Sequence, residues 1–311
     1  MDNRTREGNM RVLNLVTSRS PFFIQQVTSI ERHGIRMDTV SVPGTGRERR
    51  LRHYLRFYKD VLAGNPLRYD LVHSNYGLTA PFALGQPTRP VVLTLWGSDL
   101  MGTYGSLSKK CASRCDEVIV RSQEMNEELG GSAHVIPAGI DFDLFEPRSQ
   151  REARREVDWS PDEKHVLFPY SPDNAIKNYP LARDIVASVD ERIDVPVNVQ
   201  VVNGIPHGRI PAYMNAADAL LLTSNREGSP NTIKEAMACN TPIVSTDVGD
   251  VRERLEGATQ SAVCRTESEL VDSLCDVLSS DERSNGRELV QELRLERTAE
   301  RIIDVYERAL E

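Results

Sequence analysis

Short, unbroken apolar runs recur along this 311-residue chain, and the stretches between them carry helical patterns. The runs are Val12 to Val16, Thr39 to Val42, Leu71 to His73, Val91 to Leu95, Val118 to Val120 and His134 to Ile136, then Val166 to Phe168, Val197 to Val202, Ala219 to Leu222, Ile243 to Ser245 and Ala262 to Cys264. A strand that is apolar on both faces needs cover on both, and strands separated by helices close as right-handed βαβ units. The pattern predicts an α/β protein built on doubly wound parallel sheets. A polar, charged stretch follows Pro147 before the series restarts, so the chain divides into two Rossmann-like halves with a cleft between them.

The expected boundaries are a flexible N-terminus at 1–9, a first domain at 10–147, a linker at 148–164, a second domain at 165–285 and a C-terminal helix at 286–311. Ile302, Ile303, Val305, Tyr306 and Leu310 give that last helix an apolar face. Each half is long enough to bury a core of its own.

Between Leu222 and Ile243 the sequence reads as loop, short helix and turn, with Glu227 before the loop and Glu235 on the helix. Ser229 suits an N-cap and Pro230 the first helical position, where a missing amide costs nothing. The amides of Gly228, Asn231 and Thr232, with the positive end of the helix dipole, favour an anion such as a diphosphate. Helical side chains lean toward the N-terminus, so the Glu235 carboxylate can reach the neighbourhood of Glu227. Two carboxylates beside a phosphate site are suited to accept from sugar and ribose hydroxyls.

This segment resembles the E-x7-E region of the family 4 glycosyltransferases, retaining nucleotide-sugar transferases of GT-B fold. Pro211-Ala-Tyr-Met-Asn-Ala-Ala-Asp218 is similar to that family's P-x-Y-x-x-A-D stretch. In the first half, Asp70-Leu-Val-His-Ser-Asn-Tyr-Gly77, Leu95-Trp-Gly-Ser-Asp99 and His134-Val-Ile-Pro-Ala-Gly-Ile-Asp141 are similar to its D-x-V-H-x-H, T-x-H-G-x-D and V-I-P-N-G-V-D stretches. The resemblance runs from about Met10 to the C-terminus. It implies two facing Rossmann-like domains, a nucleotide diphosphate sugar held by the second, a hydroxyl acceptor at the first, and a last helix that crosses back to the first domain.

The resemblance also assigns roles. Lys177 and the amides of Gly228, Ser229, Pro230's neighbours Asn231 and Thr232 hold the donor's diphosphate; Glu235 takes the ribose and Glu227 the sugar. Lys177 matches the lysine of the family's G-R-x-x-x-x-K-G loop, whereas Ser171 or Pro172 stands in place of the arginine. Trp96 replaces a histidine that lines the family's active site, followed by the matching Asp99; stacking on a sugar ring is the natural substitute for imidazole. Arg19 lies in the segment that replaces the family's glycine-rich loop and is the third acceptor-side candidate. His73 matches a family histidine and is read as structural. Amides and lysine serve the diphosphate, so no metal and no cofactor beyond the substrate is expected, and Asp141-Phe-Asp143 is taken as a chance match to a metal signature.

Composition excludes other classes. Acidic residues number 46 against 38 basic, for a net charge of −8, which argues against a general nucleic-acid binder. Five cysteines form no zinc pattern and no disulfide framework, no run reaches the ~18 apolar residues of a membrane span, and the first nine residues are too polar for a signal peptide. The expected address is cytoplasmic. Arg47 to Lys59 is a basic stretch on an acidic chain, with Leu51, Tyr54, Leu55 and Tyr58 at i, i+3, i+4, i+7, which suits a peripheral helix on anionic lipid at the inner face of the membrane. The expected acceptor is a glycan, a lipid-linked glycan or a glycolipid. Other readings weighed are a nucleotide-sugar epimerase, a phosphorylase, and a catalytically idle donor-binding or scaffold subunit.

Overall fold

The computed structural model of the protein describes residues 10–311, Arg47 by its backbone alone, and the chain forms two compact units. The first holds the residues up to Gly139 together with Leu295–Glu311, and the second holds Ile140–Arg294. The stretch 1–9, expected to be a flexible N-terminus, lies outside the described residues.

In the first unit β1 (Arg11–Val16), α1 (Pro21–Glu31), β2 (Arg36–Ser41), α2 (Leu51–Ala63), β3 (Leu71–Ser74), α3 (Ala80–Gly85), β4 (Val91–Thr94), α4 (Gly105–Ala112), β5 (Glu117–Val120), α5 (Gln123–Glu128) and β6 (His134–Val135) alternate. The strands pair in parallel in the order β2-β1-β3-β4-β5-β6. The second unit runs α6 (Gln150–Glu156), β7 (Lys164–Phe168), α7 (Tyr179–Asp190), β8 (Val197–Val201), α8 (Ile210–Ala216), β9 (Ala219–Leu222), α9 (Asn231–Ala238), β10 (Ile243–Thr246), α10 (Val251–Arg254), β11 (Ser261–Cys264), α11 (Glu267–Ser279) and α12 (Gly286–Leu289). Its strands are parallel too, in the order β11-β10-β9-β7-β8.

Both sheets change their direction of winding beside their first strand, between β1 and β3 and between β7 and β9. Loops leave such a point toward opposite faces of the sheet, and the crevice they open at the strands' carboxyl ends is where open α/β sheets bind ligands. Strand alternation explains the two-sided cores. In the second unit Leu167, Leu220 and Leu222 pack with Ile233 and Met237 of α9, while Val166, Phe168 and Leu221 pack with Ile185 and Val189 of α7 and Leu274 of α11.

The chain ends in α13 (Leu295–Leu310), which belongs to the first unit. Its Ala299, Ile302, Val305 and Tyr306 pack with Val12, Leu71, Val92 and Ile119 of four neighbouring strands. His73 sits fully buried between them, Nδ1 at 2.6 Å from the Tyr306 hydroxyl and Nε2 at 2.7 Å from Thr94 Oγ1. Burial, with help from the charge of Arg121, pushes its pKa down to about 3, so the ring is neutral and serves packing. Tyr306→Phe removes one of its partners. A loss of about 1–2 kcal/mol in unfolding free energy is expected by denaturant titration, and an unchanged midpoint would deny the bond any part in stability.

Two expectations need correction. The segment 148–164 is charged because its charges are used: α6 packs on α8, and Arg154 donates to Ala216 O, Pro161 O and, at 2.6 Å, Asp218 Oδ2. It is part of the second unit. On α2 the buried residues are Phe57 and Val61, with Tyr54, Phe57 and Tyr58 set around Phe82, whereas Leu51 and Leu55 are 73% and 60% exposed. The apolar template fits two faces of this helix, and the aromatic one has a partner.

Candidate functional site

The loops that leave β7 and β9 meet at the switch point of the second sheet. The Asn225 amide donates to Ile176 O at 2.8 Å, and Thr223 Oγ1 donates toward the carbonyls of Lys177 and Asn178. This stitching brings together two side chains 50 positions apart: Lys177 Nζ donates to Glu227 Oε1 at 2.5 Å. Ser224 Oγ donates to the same oxygen at 2.6 Å, and the ammonium lies 3.8 Å from the centroid of the Tyr170 ring. Both partners keep about one seventh of their side-chain surface open, 15% and 14%. They are therefore strongly coupled and still within reach of a ligand.

Tyr170 links this pair to Glu235. Burial raises the phenol's pKa, and the charges of Glu227 and Glu235 push it further the same way, so the ring stays protonated beside both carboxylates. Thr232 neighbours the same hydroxyl. Glu235 lies on the covered face of α9, 4% exposed, and His207 Nε2–H donates to its Oε1 at 2.6 Å. Burial raises the Glu235 pKa; the hydrogen bond and charge of His207, and the charge of Lys234, oppose that shift. His207 is itself set against Phe145, ring centroids 5.3 Å apart. His207 was not legible: it lies 28 positions from Glu235, in a single 3-10 turn (His207–Arg209) just ahead of the Pro211 motif and outside it.

The helix begins one residue later than expected. Pro230 is the N-cap, with φ −68° and ψ 117°, and Asn231 the first helical residue. Ser229 does not cap: its hydroxyl oxygen accepts from Lys234 Nζ at 3.1 Å and donates its proton to Asp250 Oδ2 at 2.7 Å. The amides of Asn231 and Thr232 still lie in the first turn, where no intrahelical acceptor exists.

In the first unit the switch-point loops surround a cavity of about 150 Å³ lined by Ser18, Ser20, Phe23, Asn75, Tyr76 and Trp96, among others. Trp96 is half-buried, and the Arg121 guanidinium lies 3.8 Å from its ring centroid. Arg121 donates to Ile136 O and to Gln26 Oε1, and burial pushes its pKa down to about 9. No sequence signal marked this cation, which directly follows an ordinary strand, β5.

The other acceptor-side candidates are placed differently. Asp99 is 1% exposed and receives the amides of Trp96 at 2.8 Å and Gly77 at 2.9 Å, so it holds the loops after β3 and β4 in shape. Burial raises its pKa against those amide donors. Arg19 donates to Thr39 O at 2.9 Å and lines a separate cavity of about 610 Å³ with Asp38, Arg68 and Tyr69. It does not line the Trp96 cavity. Asp141 Oδ1 receives the amides of Asp143 and Leu144 at 3.1 Å each, an Asx turn that accounts for the Asp-Phe-Asp spacing.

Both halves of the chain match models of known glycosyltransferase families. The model of "Glycosyltransferase Family 4" matches residues 10–144, and that of "Glycosyl transferases group 1" matches residues 180–280. TuaC of Bacillus subtilis, named for teichuronic acid biosynthesis, is 26% identical over 218 residues, which cover 58% of this chain and 54% of that protein. A D-inositol 3-phosphate glycosyltransferase of Pseudarthrobacter chlorophenolicus is 24% identical over 238 residues, covering 58% and 55%. The chain thus spans about half the length of these curated relatives. Among solved structures, sucrose-phosphate synthase from Thermosynechococcus elongatus superposes with a TM-score of 0.80 at 18% identity, over 96% of this chain and 98% of that one. HepE of Anabaena, in complex with UDP and glucose, superposes at 0.73 with 18% identity, over 96% and 99%. With one family description on each half, and the doubly wound sheets of the GT-B fold beneath both, the chain belongs to the group 1, family 4 glycosyltransferases.

Proposed function

We propose that the protein moves a sugar from a nucleotide diphosphate sugar to a hydroxyl acceptor with retention of anomeric configuration, and that the second unit holds the donor. The observation that carries this reading is the Lys177–Glu227 pair at the switch point of the second sheet, beside the open amides of α9. Lys177 and the amides of the loop take the diphosphate, Glu235 takes the ribose hydroxyls, and Glu227 takes the sugar. Negative charge grows on the departing diphosphate in the transition state, where a fixed ammonium and amide dipoles stabilise it most. The acceptor's proton leaves on the departing phosphate itself, and no metal is needed.

The cavity at Trp96 is the proposed acceptor end. An aromatic face, two serines and an asparagine suit a sugar hydroxyl of a glycan or lipid-linked glycan. Because HepE was solved with UDP and glucose, uridine diphosphate sugars are the first donors to test. Purified protein is incubated with labelled UDP-, GDP- and ADP-sugars, and nucleoside diphosphate release and label transfer are followed. Neither binding nor turnover with any donor would sink the reading, and an inverted product anomer would remove retention.

We further propose peripheral contact with anionic lipid through α2. Supporting it, Leu51, Leu55 and Leu62 are exposed on one side of this helix, with Arg52, Arg56 and Lys59 beside them. No helix among the described residues is long and apolar enough to cross a membrane. Arg49 is engaged with Thr17 O, so Arg52 and Arg56 are the cations to change. Vesicles containing anionic lipid are expected to sediment the native protein. Arg52→Glu with Arg56→Glu should weaken that binding by roughly ten-fold or more, at about 1 kcal/mol per basic residue; indifference to the charge reversal would end the proposal.

A further inference from the structure

We propose that Lys234 is a positioning residue for the loop that receives the donor's diphosphate, an inference that rests on the donor reading above. Its side chain lies on the covered face of α9, 1% exposed, between Ile233 and Glu235. An ammonium is costly to bury unless it is hydrogen-bonded, and an apolar side chain would fill the same place without that cost. One bond of the ammonium reaches the loop ahead of the helix. Lys234 Nζ donates to Ser229 Oγ at 3.1 Å, and Ser229 Oγ donates onward to Asp250 Oδ2 at 2.7 Å. Since the ammonium can only donate, it leaves the hydroxyl's single proton for the carboxylate and so fixes the rotor.

Asp250 is held in turn. It is 6% exposed, Arg254 Nε donates to its Oδ2 at 3.1 Å, and its own amide donates to Gly228 O at 3.1 Å. Gly249 makes this approach possible: its φ is +54°, and a Cβ there would stand 2.3 Å from Gly228 O. The peptide between Gly228 and Ser229 is thus gripped twice, by its carbonyl and through the serine side chain. In a trans peptide the carbonyl and the following N–H point opposite ways. Turning Gly228 O onto Asp250 therefore turns the Ser229 amide outward, toward an anion on the loop. Lys234 locks this orientation from beneath without touching the ligand.

The test uses the full chain and isothermal titration with UDP, GDP and ADP in turn, then the monophosphate of whichever base binds. Lys234→Met is expected to weaken the diphosphate about ten-fold or more while changing the monophosphate less than three-fold. Ser229→Ala, which deletes one hydroxyl and keeps the test open should Lys234→Met fail to fold, is expected to do the same. Combining the two should add little to either alone. Unchanged diphosphate binding in Lys234→Met, equal losses for both nucleotides, or fully additive losses in the double variant would each overturn the proposal alone. Failure of the native protein to bind any of the three diphosphates would overturn the donor reading and this inference with it.

Discussion

Lys177→Met is expected to lower kcat by about 10²–10³-fold, the loss typical when a fixed group facing developing charge is removed. It should also lower stability. The pair with Glu227 is mostly out of water, so taking away the ammonium leaves a largely buried carboxylate held by Ser224 Oγ without its counter-charge. These two losses can be separated. Adding Glu227→Gln to Lys177→Met removes the orphaned charge, so the melting temperature should recover most of its fall while kcat stays low. Thermal unfolding and initial rates on the single and double variants decide it. A Lys177→Met protein within three-fold of native kcat would show that the ammonium serves Glu227 and not the transferring group.

Glu235→Gln is expected to weaken donor binding by about 10–100-fold, the worth of one or two hydrogen bonds to a charged acceptor, yet to make the folded protein more resistant to heat at neutral pH. Burial raises the Glu235 pKa above the ordinary carboxylate range. The folded chain then holds that proton more tightly than the unfolded chain, so stability falls as pH rises from the unfolded value through the raised one. Above that window the full penalty of a buried charge is present, and glutamine does not carry it. Each kcal/mol relieved should raise the melting temperature by roughly 2–4 °C in a domain of this size, with the gap between variant and native closing toward acid pH. His207 works against the penalty by donating to the carboxylate at 2.6 Å. His207→Phe should therefore lose donor binding first at the acid end of the pH range. Parallel loss at all pH values would mean that His207 only shapes the loop.

What the sequence revealed follows from how local each signal is. Ala219 to Leu222 is a strand because four apolar residues with a polar loop after them have one economical place in an α/β unit, and all four are fully buried. Glu227 and Lys177 were legible because each stands in the loop that follows such a strand, in a stretch that resembles a family motif, and the strand order then sets the two loops side by side. His207 and Arg121 were not legible. Their roles depend on partners 28 and 25 positions away, across loops whose path no periodicity encodes. Ser229 misled for a related reason: a serine before a proline and a helix looks like a cap until Lys234 and a distant aspartate turn its hydroxyl to other partners. The charged segment after Pro147 looked like linker because polarity alone does not distinguish a side chain in water from one, like Arg154, in a web of carbonyls.

The placement of α13 has a consequence for how the chain is made. The first unit takes four of its core side chains, Ala299, Ile302, Val305 and Tyr306, from the far end of the sequence. A ribosome finishes every strand of that unit's sheet, then all of Ile140–Arg294, before those residues emerge. The second unit is continuous and free to reach its native state during synthesis, whereas the strands made earlier wait with Val12, Leu71, Val92 and Ile119 uncovered on one face. The nascent chain is thus most exposed to aggregation until α13 emerges, and a single helix of 16 residues covers the open face.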